Sequence, residues 1–388
     1  MGQQPQMTWT EVARRRLARH GLTEPSATAP ADAVAAMSGA HAQVLSAAEL
    51  SIGLRTATGT RADVRRALET EHSLVKTFGP RGTVHLLPTP DLAMWTGALG
   101  AVPTPRSPFA DDVRLTPEQT EELVAAVGVA LADVELTVDE LTDALGELAG
   151  PWAVDPVMPA FQTLWPRWRQ AVATIANRGV LCFGANRGRK VTYTSPQRFV
   201  PGLAPDDADA SVRALLRAWL HAYGPATPAQ FAQWLNASTR WANELFASVA
   251  AELIQVELDG VPTWSLSADA DSDSEAGPPC GVRLLPYFDA FVVGSHPRAS
   301  LFPGPAATRA LTPSGQAGNY PVLLVDGVVA GVWHQRRSGR RIDVTVEPLG
   351  RLRAAQRRDL EAQVERVGEV LEGTPTLTVG PVQVGAHA

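Results

Sequence analysis

Cysteine is almost missing from this chain: Cys182 and Cys280 stand far apart, with no C-x-x-C pair and no neighbouring histidine pair. That leaves no basis for a zinc site or a disulfide framework, and it predicts a reduced, cytoplasmic protein with no metal and no cofactor. Lysine is equally scarce. Lys76 and Lys190 are the only two, so nearly all the positive charge is arginine. No apolar run approaches the ~18 residues of a membrane span, and Met1-Gly2-Gln3-Gln4-Pro5 lacks the basic-then-apolar pattern of an export signal. Catalytic signatures are missing as well: there is no G-x-S-x-G elbow and no H-E-x-x-H. Gly184-Ala185-Asn186-Arg187-Gly188-Arg189-Lys190 has the wrong spacing for a phosphate-cradling G-x-x-x-x-G-K-[ST] loop, and the eight histidines are dispersed. Nucleotide hydrolysis and metal catalysis therefore find no support.

What is present is a chain of 388 residues, 45% of them hydrophobic, which suggests two to four modules. The net charge of −6 argues against a protein that coats nucleic acid through bulk charge. Distribution says more than the sum. Acid collects from Asp133 to Glu147 and from Asp269 to Glu275. Base collects at Arg14-Arg15-Arg16, at Arg187, Arg189 and Lys190, and along Arg336, Arg337, Arg340, Arg341, Arg351, Arg353, Arg357 and Arg358. Arginine patches in an acidic chain suit local phosphate contacts; a merely solvated arginine-rich surface is the alternative.

Periodicity predicts one outline three times over. In residues 1–105, helices over Thr10–His20, Ala31–Met37, Ala47–Thr56 and Arg61–Glu71 precede a strand over Arg81–Pro88. Residues 106–204, after the Pro-rich stretch Pro103–Pro108, repeat it. Helices are expected at Thr116–Leu131, Val138–Leu148 and Phe161–Arg178, then strands at Gly179–Gly184 and Val191–Thr194 around a wing-like loop. Residues 205–268 give helices at Ser211–Tyr223, Pro228–Leu235 and Thr239–Leu253 and a hairpin turning at Asp259-Gly260. Each pass has the outline of a winged helix. An acidic, mobile linker is expected at 269–280. Beyond it, 281–388 reads as a β-rich domain with strands at Val282–Leu285, Ala290–Val293, Pro321–Val325, Val328–Trp333 and Ile342–Val346, closed by a helix over Arg351–Leu371. The fold class predicted is α+β.

One polar pair interrupts an apolar segment, Ser38-Gly39-Ala40-His41-Ala42-Gln43-Val44. Gly39 is suited to end the preceding helix with a positive φ. Just beyond a glycine stop the chain is extended or turning, and residues i and i+2 then project to the same side. His41 and Gln43 can grip one small object there, such as a water molecule. The alternative is a helix-end histidine satisfied by local packing.

His41-Ala42-Gln43 recurs in company: Arg81-Gly82-Thr83-Val84-His85-Leu86, Arg178-Gly179-Val180-Leu181-Cys182-Phe183, Leu284-Leu285-Pro286-Tyr287-Phe288-Asp289, and Val325-Asp326-Gly327 to Gly331-Val332-Trp333. Together and in this order they resemble the AlkZ-like family of winged-helix DNA glycosylases over nearly the whole chain. The resemblance implies three tandem winged helices plus a β-rich C-terminal domain forming a concave DNA cradle. It also implies excision of alkylated purines, including bulky natural-product adducts and, in some members, interstrand crosslinks. The family's catalytic pair is usually Gln-x-Gln or Gln-x-Asp; with His41 first, the chain resembles a smaller subgroup of self-resistance enzymes for DNA-alkylating antibiotics.

The chemistry fits. A guanine alkylated at ring nitrogen 7 is cationic and leaves as a neutral base, so no strong general acid is needed. Neutral His41 can take a proton from water, because an unperturbed imidazole with a pKa near ~6.5 is mostly neutral at pH 7. Gln43 can orient that water but cannot act as a base. The function expected is a monofunctional DNA glycosylase for bulky N7-alkylguanine, acting on double-stranded DNA as a nucleoid-associated monomer and conferring self-resistance. The lysine shortage supports the monofunctional reading, since a lyase needs an amine for its Schiff base. A non-enzymatic winged-helix regulator or drug-sequestering protein is the rival. Candidate DNA contacts are Arg81, Arg187, Arg189, Lys190, Asp326, Gly327, Arg336, Arg337, Arg340 and Arg341. Arg81 either holds a phosphate or pins its strand, His85 is similarly ambiguous, and Asp289 is expected to cap or support the site. The Asp326-Gly327 turn either probes a groove or is an ordinary hairpin.

Overall fold

The computed structural model describes residues 5–25, 27–103, 109–160, 163–270 and 281–385. Most of the expected linker at 269–280, most of Pro103–Pro108, and Cys280 lie outside them. The chain is a mixture of helices and strands, the α+β class expected. It divides into two compact units, each assembled from separate stretches of sequence. The first holds residues 1–67, 216–231 and 243–388, and the second holds 68–215 and 232–242.

The first unit opens with α1 (Trp9–Arg19), started by a capping box in which Thr8 and Glu11 satisfy each other's backbone N–H groups. Then come α2 (Pro30–Ala36), α3 (Leu45–Gly53) and α4 (Arg61–Glu69). Its centre is a five-stranded sheet in the order Val282–Leu285, Val322–Val325, Val328–Ser338, Arg341–Pro348 and Thr374–Val379. All neighbours are antiparallel except the last pair, which is parallel. Alternation along the strands gives the sheet two cores. Leu284, Leu323, Trp333, Val344 and Val346 meet Leu50 and Leu54 of α3 and Leu360, Val364 and Val367 of the C-terminal helix Ala354–Val370. On the other face Leu285, Val322, Leu324 and Val332 meet Val12, Ala13 and Leu17 of α1 and Phe291.

Gly53 lets α3 sit close on the C-terminal helix, because a Cβ there would lie 2.3 Å from Val370 Cγ1. Arg366 reinforces that seat. Its Nη2 lies 2.8 Å from Gly53 O, 2.9 Å from Thr56 O and 3.0 Å from Gly59 O, satisfying carbonyls at and beyond the end of α3. A hairpin, Leu253–Leu258 with Val261–Leu266, turns at Asp259-Gly260 with both residues at positive φ, as the sequence predicts.

The second unit contains the hairpin Leu74–Phe78 with Val84–Pro88. It also has the helices Pro117–Ala130 and Val138–Leu148, and a small sheet of Leu136–Thr137, Thr192–Thr194 and Cys182–Phe183. Leu123, Val127, Leu141, Leu145, Trp168, Ile175 and Tyr193 fill its core. Helices followed by a short hairpin are compatible with a winged helix.

The strand expected over Arg81–Pro88 begins only at Val84, with Arg81 and Gly82 in a 3-10 turn, and three further expectations need correction. The helix expected over Phe161–Arg178 is, in its described part, a strand Leu164–Pro166, a 3-10 turn Arg167–Ala171 and a short helix Val172–Asn177. Pro166 ends a hairpin strand there, paired with Pro156, and has no N–H to donate within a helix running through it. Ala290–Val293, expected as a strand, lies in the helix Ala290–Gly294, because the Asp289 side chain accepts from Phe291 N–H and starts a helical turn. The helix expected to reach Leu253 stops at Ser248, and Leu253 begins a strand. The helix Leu92–Ala101 and the strands Leu74–Phe78 and Thr374–Val379 are elements that periodicity does not predict.

Candidate active site

Ser38 (φ 55°) and Gly39 (φ 93°) follow the end of α2 in the left-handed region, and Gly39 N–H returns to Val34 O at 2.9 Å. The chain then runs extended through Ala40 and His41 before Val44 opens α3. Burial alternates along it. Ala40 and Ala42 are buried, His41 is half-buried and Gln43 is exposed. The sequence expectation of a glycine stop followed by extended chain is met.

The His41 ring is stacked on Phe288, with centroids 4.6 Å apart and planes inclined by 29°. Phe288 itself has φ 52°, an unusual backbone for a bulky residue. Its neighbour Asp289 is fully buried and held by a two-armed pair from Arg55, Nη1 to Oδ2 at 2.9 Å and Nη2 to Oδ1 at 2.9 Å. Ser51 Oγ donates to Oδ2 at 2.7 Å. Burial works against the Asp289 charge, but Arg55 and the hydrogen bonds from Arg55 and Ser51 outweigh it and hold the carboxyl below its ordinary value. Asp289 caps the short helix that follows it, accepting from Phe291 N–H at 3.0 Å. The reach of Arg55 and Ser51, on or just past α3, carried no signal in the sequence.

Beneath this pair, His20 packs edge-on against Tyr223 at 4.8 Å and Phe291 at 5.7 Å. Burial, and next the Arg55 charge, push its pKa down to about 3, so it is neutral in the folded protein. The Tyr223 hydroxyl lies 3.0 Å from Met37 O and 3.1 Å from Ala290 O, and can donate to either. It links the end of α2 to the helix that Asp289 caps.

The predicted DNA contacts fall into two groups. Many are engaged within the protein. Arg81 sits at φ 63° and donates from Nη1 to Trp234 O at 2.7 Å, the pinning alternative. His85 is buried with Nδ1 2.9 Å from Thr83 O. Arg187 pairs with both oxygens of Glu140, at 3.0 and 2.7 Å, and Lys190 with Asp139 at 3.0 Å. Arg341 pairs with Asp343 at 2.7 Å, and Arg337 donates to Gly339 O and Leu371 O. Asp326 accepts from Gly281 N–H at 3.1 Å, and Gly327 is buried against α1, where a Cβ would lie 2.6 Å from Ala13 Cβ. That geometry favours the ordinary hairpin over a probe. Arg189, Arg336 and Arg340 are different: they are exposed and their side chains make no ion pair or hydrogen bond with the described residues. Among the described residues no group of His, Cys, Asp or Glu is arranged to hold a metal ion, and no helix is long and apolar enough to cross a membrane.

A family model described as DNA glycosylase AlkZ-like matches residues 34–370, which includes His41, Phe288, Asp289 and four of the five strands of the central sheet. The chain belongs to the AlkZ-like DNA glycosylase family. It is 33% identical over 337 residues to an interstrand DNA cross-link repair glycosylase of Streptomyces sahachiroi, covering 84% of this chain and 87% of the relative. The solved structure of Streptomyces sahachiroi DNA glycosylase AlkZ superposes with a TM-score of 0.82 at 28% identity, spanning 97% of this chain and all of that one. These findings bear out the family resemblance read from the motifs and identify the chain as a DNA glycosylase.

Proposed function

We propose that this glycosylase removes bulky N7-alkylguanine from duplex DNA by hydrolysis, with His41 as general base and Gln43 holding the water. The observation that carries the proposal is the three-residue link after the glycine stop, extended through His41 and bending at Gln43, in which a half-buried His41 and an exposed Gln43 flank a buried Ala42. Two side chains at i and i+2 of such a link can share one water.

The water oxygen attacks the anomeric carbon while the bond to guanine nitrogen 9 breaks. The bonding electrons neutralise the cationic purine, which departs without needing a proton. His41 takes the water's proton as the attack proceeds. Protonated His41 would have no lone pair for this and would repel the cationic sugar, so excision is expected to fall below about pH 6.

Neither lysine supports a strand-cutting amine. Lys76 Nζ lies 4.7 Å over the Phe183 ring, and Lys190 is paired with Asp139. The reading is of a monofunctional enzyme that acts as a monomer and leaves an abasic site, and self-resistance to a DNA-alkylating natural product is the role such a substrate suggests. Whether crosslinks are also unhooked, as the relative's name would suggest, belongs to the same test.

The test is base release from duplexes carrying N7-methylguanine, a bulky N7 adduct or an interstrand crosslink, followed by alkaline cleavage. His41→Ala and Gln43→Ala should each abolish release while retaining DNA binding. Tight binding of one sequence with no abasic sites from wild-type protein would favour the regulator reading. A borohydride-trapped protein–DNA adduct would overturn the monofunctional one.

A further inference from the structure

We infer that Phe288 is the positioning residue for His41, the flat surface that fixes the plane in which the imidazole holds its water. This rests on the reading of His41 as the base. An imidazole nitrogen accepts a proton only along a lone pair that lies in the ring plane. A histidine free to turn about its last side-chain bond spends little time with that lone pair aimed at one point. Stacking at 4.6 Å with a 29° inclination restricts the turn.

Phe288 can do this because its own position is fixed from two sides. Its N–H donates to Gly318 O at 2.9 Å. Gly318 lies against it closely enough that a Cβ there would meet Val293 Cγ2 at 2.9 Å and Phe288 Cδ1 at 3.1 Å. On the other side Asp289 is anchored by Arg55 and Ser51 in the interior, the Arg55 and Asp289 side chains being fully buried. A bulky residue kept at φ 52° between a clamp and an anchor is an unusual arrangement for mere packing. Its ring faces the one candidate base.

The experiment compares full-length wild type with Phe288→Tyr, Phe288→Leu and Phe288→Asn on an N7-methylguanine duplex, measuring the single-turnover excision rate and the DNA Kd separately. Asparagine tolerates positive φ, so that variant keeps the loop while deleting the ring. Urea unfolding of each variant verifies the fold. The expected result is a loss of about 10- to 100-fold in rate for leucine and asparagine with Kd unchanged, and near wild-type rate for tyrosine. His41 ring-proton NMR shifts should move in the leucine and asparagine variants as the aromatic ring current disappears, and stay in the tyrosine variant. Unaltered rates in both ring-deleted variants, or a loss appearing in Kd alone, overturn the positioning role. His41→Ala separates this from the parent reading: if it excises at the wild-type rate, the base assignment itself fails. If it is inactive while Phe288→Leu is unimpaired, only the positioning role fails.

Discussion

His20 makes the first unit sensitive to mild acid. In the folded protein its pKa is pushed down to about 3, whereas in the unfolded chain it titrates near ~6.5. His296 is shifted the same way, also to about 3, first by burial and then by the charges of Arg298 and Arg16. Between pH 6.5 and 3 the unfolded chain binds these two protons and the native protein does not, so native stability falls as pH falls. Each histidine contributes a slope approaching ~1.4 kcal/mol per pH unit, and going from pH 7.5 to 5.0 removes about 2 kcal/mol each. The sum, about 4 kcal/mol, is a large part of the 5–15 kcal/mol that holds a typical domain together. Asp289 acts lower: its depressed carboxyl contributes stability that is complete above its ordinary value and is lost only as pH falls below that. The perturbation is His20→Phe, which keeps an aromatic ring against Tyr223 and Phe291 and removes the proton site. The assay is urea unfolding at half-unit steps from pH 7.5 to 4.5. The slope at mildly acid pH should fall by about 1.4 kcal/mol per pH unit whatever the variant's absolute stability. An unchanged slope, or a native His20 ring signal titrating near pH 6.5, would refute the reasoning. The variant should leave the fall in excision below pH 6 untouched, since that loss belongs to His41.

Other perturbations follow from single contacts. Arg55→Met strands the buried Asp289 carboxylate and should cost about 3–5 kcal/mol in urea unfolding, with part recovered in Arg55→Met/Asp289→Leu. A double variant no better than the single would show that the pair is not what matters. Arg336→Ala with Arg340→Ala should weaken DNA binding and flatten the dependence of log Kd on log salt by up to ~0.9 per lost phosphate contact. Arg187→Ala with Lys190→Ala, whose charges face Glu140 and Asp139, should change that slope little; the opposite ranking would show that those ion pairs open on DNA. Gly327→Ala puts a Cβ at φ 86° against Ala13 and should destabilise by about 1–3 kcal/mol. Unaltered stability would mean that the turn is not packed as described.

The sequence made the local features legible and the convergent ones only in outline. The glycine stop before His41, the Asp259-Gly260 and Asp326-Gly327 turns and the Val138–Leu148 helix could be read because a few adjacent residues decide them. The apolar spacing of Phe161–Arg178 imitates a helix, while Pro166 within it ends a strand and cannot donate to a helical bond. Ala290–Val293 misled for another reason. Four apolar residues suit a strand or a buried helix equally, and only the capping bond from Asp289 decides between them.

Charge was the feature most open to misreading, because a linear sequence shows where arginines lie but not where their partners are. Arg187 and Glu140 are 47 positions apart, Arg55 and Asp289 are separated by 234, and Arg366 caps α3 from more than 300 residues away. An arginine's five donors suit carbonyls and carboxylates as well as phosphates. A run that reads as a DNA contact is therefore divided by folding into cations paired within the protein and cations that are not. In the C-terminal run all four arginines are exposed, but Arg337 and Arg341 are tied to Leu371 O and Asp343 while Arg336 and Arg340, one strand position or one turn residue away, are not. The same sorting pairs Arg55 with Asp289, the residue next to Phe288. A residue with no motif and no exposed surface thereby anchors the loop that carries the ring against His41.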